Sequence, residues 1–171
     1  EAVAGQRIDE RNASQLVPFD EVRRLRQTLA QVPEADEAGR WAKWFFAENS
    51  TRQVSPASLL TVAQLVEQRI EQSTLDSLQQ AVWLSPTNGV AQGRLAFVTL
   101  TNEATPAPRL VASAEWQSRR SLELSPKEPE VWSAIAHFCE HLGRFAEALD
   151  AMDRAISRNP TNASAWNAKG L

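Results

Sequence analysis

Residues 129–160, PEVWSAIAHFCEHLGRFAEALDAMDRAISRNP, decide the fold of this 171-residue chain. Apolar and small side chains recur at helical spacing over 132–139 and again over 148–155. Gly143 lies between the two runs, and Pro160 closes the second one. The stretch therefore predicts two helices joined by a tight turn.

The ending of this stretch occurs three times along the chain, as AVWLSP at 81–86, SLELSP at 121–126 and AISRNP at 155–160. The closing prolines are 40 and then 34 residues apart. A period of this length is typical of stacked helix pairs, because one pair alone cannot bury its apolar face. We therefore expect successive pairs to form one array.

The 127–160 unit resembles the tetratricopeptide repeat, a family with a 34-residue period. Cys139 and Met152 depart from it, since aromatic residues are usual at both positions, and we expect both to be buried. The resemblance implies an all-α fold, a right-handed superhelix of the tetratricopeptide type. The matching positions are Trp132, Ile135, Ala136, Gly143, Phe145, Ala148, Ala155 and Pro160.

The other units match less closely. We expect a partial unit at 73–86, a degenerate unit at 87–126 and a truncated unit at 161–171. In the degenerate unit, Leu100 and Ala114 are six residues further apart than in the family. The prolines in TNEATPAPR predict that this insertion, at 101–109, forms a longer turn.

Residues 1–72 do not follow the repeat but have helical periodicity, which predicts a helical adaptor packed on the array. Trp41 and Trp44 lie on one helical face, and we expect them, like Trp132, to pack in the core. Three arginines at 23, 24 and 26 avoid the apolar stripe of their helix and are expected to face solvent.

Three stretches of the N-terminal half resemble the segment that follows a WD-repeat propeller in large bacterial multidomain proteins, some of which carry a Ser/Thr kinase domain. They are EAVAGQRIDE, GRWAKWFFAENSTR and SLQQAVWLSPTNGVA. The resemblance implies a neighbouring propeller, and no kinase signature occurs in the chain. Because the first residue is Glu and the last ones stop inside a predicted helix, we expect a piece of a larger protein.

Composition excludes several classes of function. The net charge is −3 and no dense Lys/Arg block occurs, which argues against binding to nucleic acid or a membrane surface. No apolar run approaches the ~20 residues that span a bilayer. The single cysteine, Cys139, cannot form an internal disulfide, and we expect a reducing, cytoplasmic location.

One motif could carry catalysis. HFCEH at 137–141 matches the H-x-x-E-H pattern of inverted zinc peptidases, in which both histidines bind zinc and the Glu acts as base. A catalytic zinc needs a third protein ligand, and no motif supplies one here. Because the repeat register already accounts for these positions, we predict no metal, no cofactor and no enzymatic activity, with a zinc hydrolase as the remote alternative.

Helical repeats present a groove lined by the first helices of successive pairs, where peptides or partner helices bind. We predict a non-catalytic module for protein interaction or scaffolding. A clamp for acidic C-termini is disfavoured, because Glu130 and Glu140 occupy positions where cations would be needed. The alternative is a spacer between a propeller and further repeats that binds no ligand. The predicted groove residues are Arg94, Phe97, Ser133, His137, Glu140 and Asn167.

We expect the partner to be a protein or peptide, and another domain of the same parent chain is one candidate. An array that stops inside a helix exposes apolar surface, so we also expect self-association through the C-terminal end.

Overall fold

The computed structural model describes residues 2–3, 6–8, 14–33, 36–48, 51–103 and 105–169. It divides into two compact units, Glu1–Ala63 and Gln64–Leu171. Within the described ranges no helix has the length and apolar character needed to cross a membrane. The predicted all-α, helical-repeat architecture is confirmed.

The first unit begins with a small sheet that the sequence did not predict. Strands β1 (Ala2–Val3), β2 (Gln6–Ile8) and β3 (Ser14–Leu16) pair antiparallel in chain order. Strands of two or three residues are too short to show the alternation that identifies a strand. The predicted adaptor at 1–72 is therefore not helical throughout.

Two helices follow the sheet, α1 (Phe19–Ala30) and α2 (Glu37–Phe46). Trp44 is half-buried and its Nε1 donates a hydrogen bond to the Gln53 carbonyl at 2.6 Å. The expectation that Trp41 packs in the core is wrong, since 52% of its surface is exposed. Its ring meets the Trp44 ring edge-on, with centroids 5.7 Å apart. An apolar stripe shows that a helix face is suited to packing, but it does not show how much of that face is covered.

The second unit contains the repeat array. The boundary between the units falls after Ala63 rather than after residue 72, because Val66 and Ile70 of α3 are buried. The α3 helix therefore belongs mainly to the array, and the packing of the first unit on the array stays a prediction. The helices are α3 (Val62–Gln72), α4 (Leu75–Leu84), α5 (Gly89–Thr101), α6 (Pro108–Leu124), α7 (Pro129–His141), α8 (Phe145–Arg158) and α9 (Ala163–Lys169).

Helices α5 and α6 form one central pair and α7 and α8 the next, and the first members of these pairs are neighbours. α5 packs against α6 and α7, and α7 packs against α8. Cys139 and Met152 are both buried in the core between them, as predicted. The last two residues of the predicted truncated unit, 170 and 171, and residue 104 of the predicted insertion lie outside the described residues.

The turn that follows each second helix has the same hydrogen bonds three times. In each turn, the residue before the proline donates its N–H to a carbonyl four residues earlier, at 2.9–3.0 Å. The N–H three residues further on then closes the turn at 3.0–3.2 Å. The turns are those at Pro86, Pro126 and Pro160, so the register read from the sequence holds in the degenerate unit as well.

A side chain six residues after each proline donates to that proline's carbonyl. Trp132 Nε1 bonds Pro126 O at 2.8 Å, and Trp166 Nε1 bonds Pro160 O at 2.8 Å. In the degenerate unit Gln92 replaces the tryptophan, and its Nε2 reaches Pro86 O at 3.3 Å. One bond thus joins every turn to the first helix of the next pair.

The six-residue insertion is divided between turn and helix. The α5–α6 connection spans residues 102–107, whereas the α7–α8 connection spans only 142–144. The α6 helix has 17 residues and α8 has 14. Half of the insertion therefore lengthens the turn, as predicted, and the other half adds nearly one helical turn at the start of α6.

Gly143 ends α7 in a left-handed conformation, with φ of +70°. Its N–H donates to Glu140 O and the Arg144 N–H donates to Cys139 O, both at 2.9 Å. This Schellman pattern satisfies carbonyls that the helix end leaves without partners. An added Cβ would meet nothing within 4 Å, so only the backbone angle requires glycine here.

We predict that Gly143→Ala lowers the free energy of unfolding by about 1 kcal/mol, because a side chain in this conformation is strained. Urea denaturation of the full chain measures the change. Gly143→Asn is the matched control and should lose less, since asparagine tolerates the left-handed region. Equal stability of Gly143→Ala and the unchanged protein would contradict the assigned turn geometry.

We predict that Trp132→Phe lowers the free energy of unfolding by about 1 kcal/mol through loss of the hydrogen bond to Pro126. The control is Trp116→Phe, which changes the same side chain at a position that is 62% exposed. We expect the control to stay within about 0.5 kcal/mol of the unchanged protein. If the two variants unfold alike, the turn bond does not contribute as described.

Candidate functional site

A groove with a volume of about 470 Å³ lies on the side where α5 and α7 are neighbours. Four of the six predicted groove residues, Arg94, Phe97, Ser133 and His137, line it together. We call this surface the α5–α7 groove. Its other lining residues are Ser73, Val98, Glu130, Ala134 and Asn162.

Arg94 is held in place at one side of the groove. Its Nη1 donates to the carbonyl of Ile70 and to the hydroxyl of Ser73, both at 3.2 Å. Ile70 belongs to the last turn of α3, where carbonyls lack helical partners and carry partial negative charge. The guanidinium therefore caps α3 while it contributes a positive charge to the groove.

His137 lies beside Phe97, with ring centroids 5.6 Å apart and planes tilted by 40°. The His137 Nδ1 is 3.5 Å from Glu140 Oε2, one turn further along α7. Glu140 is thus coupled to the groove through His137, although it is not among the lining residues. Phe97 and His137 come together because they occupy the same repeat position on α5 and α7, which are neighbouring first helices.

Asn162 is a lining residue that sequence reasoning missed. Its Nδ2 donates to Ser133 Oγ at 3.0 Å, and its Oδ1 accepts from the Ala165 N–H at 3.2 Å. Asn88 caps α5 in the same way, through the Ala91 N–H at 3.0 Å. In the sequence, an asparagine at this position indicates a helix cap and does not indicate that the residue also lines the groove. The predicted Asn167 is exposed and does not line the groove.

The groove combines an apolar part with a polar rim. Phe97, Val98 and Ala134 supply the apolar surface. Arg94 brings one positive charge and Glu130 one negative charge, so the lining has no excess of cations. This composition suits a neutral or mixed-charge segment and disfavours a clamp for an acidic C-terminus.

The HFCEH motif does not assemble a metal centre in the described part of the chain. No group of three or more His, Cys, Asp or Glu side chains there is arranged to hold an ion. His137 faces Phe97 and Glu140, and His141 is exposed at the end of α7. The third ligand that catalytic zinc requires is therefore missing from these residues.

Cys139 is part of the HFCEH motif, and it is buried in the core. Burial raises the pKa of its thiol, the negative charge of Glu147 raises it further, and Arg144 lowers it. Because the thiolate is the nucleophile, a thiol with a raised pKa is unreactive at neutral pH. The arrangement does not support catalysis by Cys139.

We predict that iodoacetamide modifies Cys139 slowly in the native protein at pH 7.5 and rapidly in urea, because both burial and the raised thiol pKa protect it. Intact-mass spectrometry over time measures the difference. Free cysteine in the same buffer serves as the rate standard. Native labelling at the standard's rate would show an accessible, ionised thiol and contradict the burial assigned to Cys139.

No curated protein matches the chain. The family model described as tetratricopeptide repeat matches residues 129–171, which contain α7, α8 and α9. Tetratricopeptide repeats generally mediate protein–protein interaction or scaffolding. The match and the helical architecture support a protein of the tetratricopeptide type.

Proposed function

We propose that the chain is a non-catalytic recognition module that binds an extended peptide segment of a protein partner in the α5–α7 groove. The observation that carries this proposal is the convergence of Arg94, Phe97, Ser133 and His137 on one cavity. These residues come from two neighbouring first helices, which is where repeat arrays present their binding surface.

The dimensions and lining of the groove support a peptide ligand. Its volume of about 470 Å³ falls within the range typical of ligand clefts. Phe97 offers an apolar surface for one ligand side chain. The Asn162 amide nitrogen uses one N–H for Ser133, and its second N–H can donate to a peptide carbonyl. The peptide would carry an apolar anchor and no strong net charge.

The proposed context is a larger multidomain protein. The N-terminal stretches that resemble the segment following a WD-repeat propeller support this placement, and the partner could then be another domain of the same parent chain. A repeat array serves such a role well, because each unit contacts only its neighbours and leaves the groove accessible.

The test is selection of 12-residue peptides from a random phage-displayed library on the full 171-residue chain, followed by fluorescence anisotropy with the selected peptides. We expect Phe97→Glu to weaken their binding at least about ten-fold, or 1.4 kcal/mol, because it places a charge on the apolar surface. Arg94→Gln should change the preference for charged residues in the peptide.

Phe145→Glu is the matched control, because Phe145 is 65% exposed on α8 and does not line the groove. It should leave peptide affinity within about two-fold of the unchanged protein. Circular dichroism melts of both variants check that they are folded. Enriched peptides that bind Phe97→Glu normally would contradict the groove assignment, and failure to enrich any peptide would favour the spacer alternative.

A further inference from the structure

A second cavity, of about 330 Å³, lies entirely within the first unit. It forms between α2 and the segment at 51–61, and we call it the Arg52 pocket. Three cations line it, and none of its lining residues is acidic. The lining residues are Arg40, Lys43, Trp44, Ala47, Thr51, Arg52, Gln53, Pro56 and Thr61.

The walls of the Arg52 pocket are fixed by hydrogen bonds. Trp44 Nε1 donates to the Gln53 carbonyl at 2.6 Å, which ties α2 to the opposite wall. The Arg52 carbonyl accepts from the Val62 N–H at 2.8 Å, and Gln53 forms an antiparallel bridge with Thr61. The backbone at Arg52 is therefore hydrogen-bonded through both its N–H and its carbonyl, whereas Arg40 and Lys43 belong to α2.

Arg52 is the most constrained of the cations. Its guanidinium lies over the Trp44 ring, 5.6 Å from the centroid. Its Nε is buried and has no hydrogen-bond partner. A buried charged donor without an acceptor costs free energy, so the position of this side chain is not explained by its own hydrogen bonds.

The two arginines of the pocket form no ion pair among the described side chains. Glu48, which follows α2, lies 3.6 Å from Arg26 of α1 and does not line the pocket. Two guanidinium groups beside an aromatic wall are suited to an anion.

We propose that the Arg52 pocket binds a phosphate monoester. A phosphate group carries a charge of about −1.5 to −2 and three acceptor oxygens, whereas a carboxylate carries one charge and two oxygens. Arg40 and Arg52 match the phosphate with planar donor groups. Trp44 provides the apolar surface for the group attached to the phosphate.

The same chemistry could come from a free phosphate compound or from a phosphorylated side chain. Isothermal titration calorimetry on the full chain distinguishes them with inorganic phosphate, phosphoserine and phosphotyrosine at constant ionic strength. We expect saturable binding of at least one probe with a Kd of about 1 mM or lower. Tighter binding of phosphotyrosine than of inorganic phosphate would show that the attached ring contributes, and equal binding would assign the affinity to the phosphate itself.

Arg40→Gln and Arg52→Gln should each weaken binding about ten-fold. Arg40 is exposed, so its replacement tests the pocket even if Arg52→Gln disturbs the fold. Arg24→Gln is the matched control, since it removes one exposed guanidinium of α1 that does not line the cavity. The proposal is overturned if no probe binds saturably, or if Arg24→Gln weakens binding as much as Arg40→Gln does.

Discussion

The array depends on one recurring contact, the hydrogen bond from the first helix of a pair to the proline carbonyl of the turn before it. Trp132, Trp166 and Gln92 all make this bond. It ties the first helix of each pair to the preceding turn at the same position in every unit, next to the core that α5 and α7 share. The groove exists because these two helices are held in the same register.

Sequence periodicity predicted the array because the prolines recur at the turns and the small residues recur at helix contacts. Prediction from periodicity failed in segments that lack such recurring residues. The sheet at 2–16 consists of strands of two or three residues, which show no period. The apolar stripe of α2 predicted burial of Trp41, but a stripe indicates a face suited to packing and not how much surface is available to cover it.

The candidate groove was predictable to the extent that repeat positions define it. Arg94, Phe97, Ser133 and His137 were found from the register, whereas Asn162 acts through a turn whose capping role is the stronger signal. Glu140 does not line the groove itself, but its carboxylate lies near His137, which does. The Arg52 pocket could not be predicted, since Arg40 and Arg52 come from a helix and an irregular segment that share no period.

The length of α6 makes one edge of the array uneven. Its C-terminal end is aligned with those of α4 and α8 by the shared turn bonds, so its surplus over the 14 residues of α8 lies at its start. At a rise of 1.5 Å per residue, these extra residues extend the start of α6 about 4.5 Å beyond the start of α8. A partner that lies along this edge would therefore contact a surface that is uneven between α6 and α8.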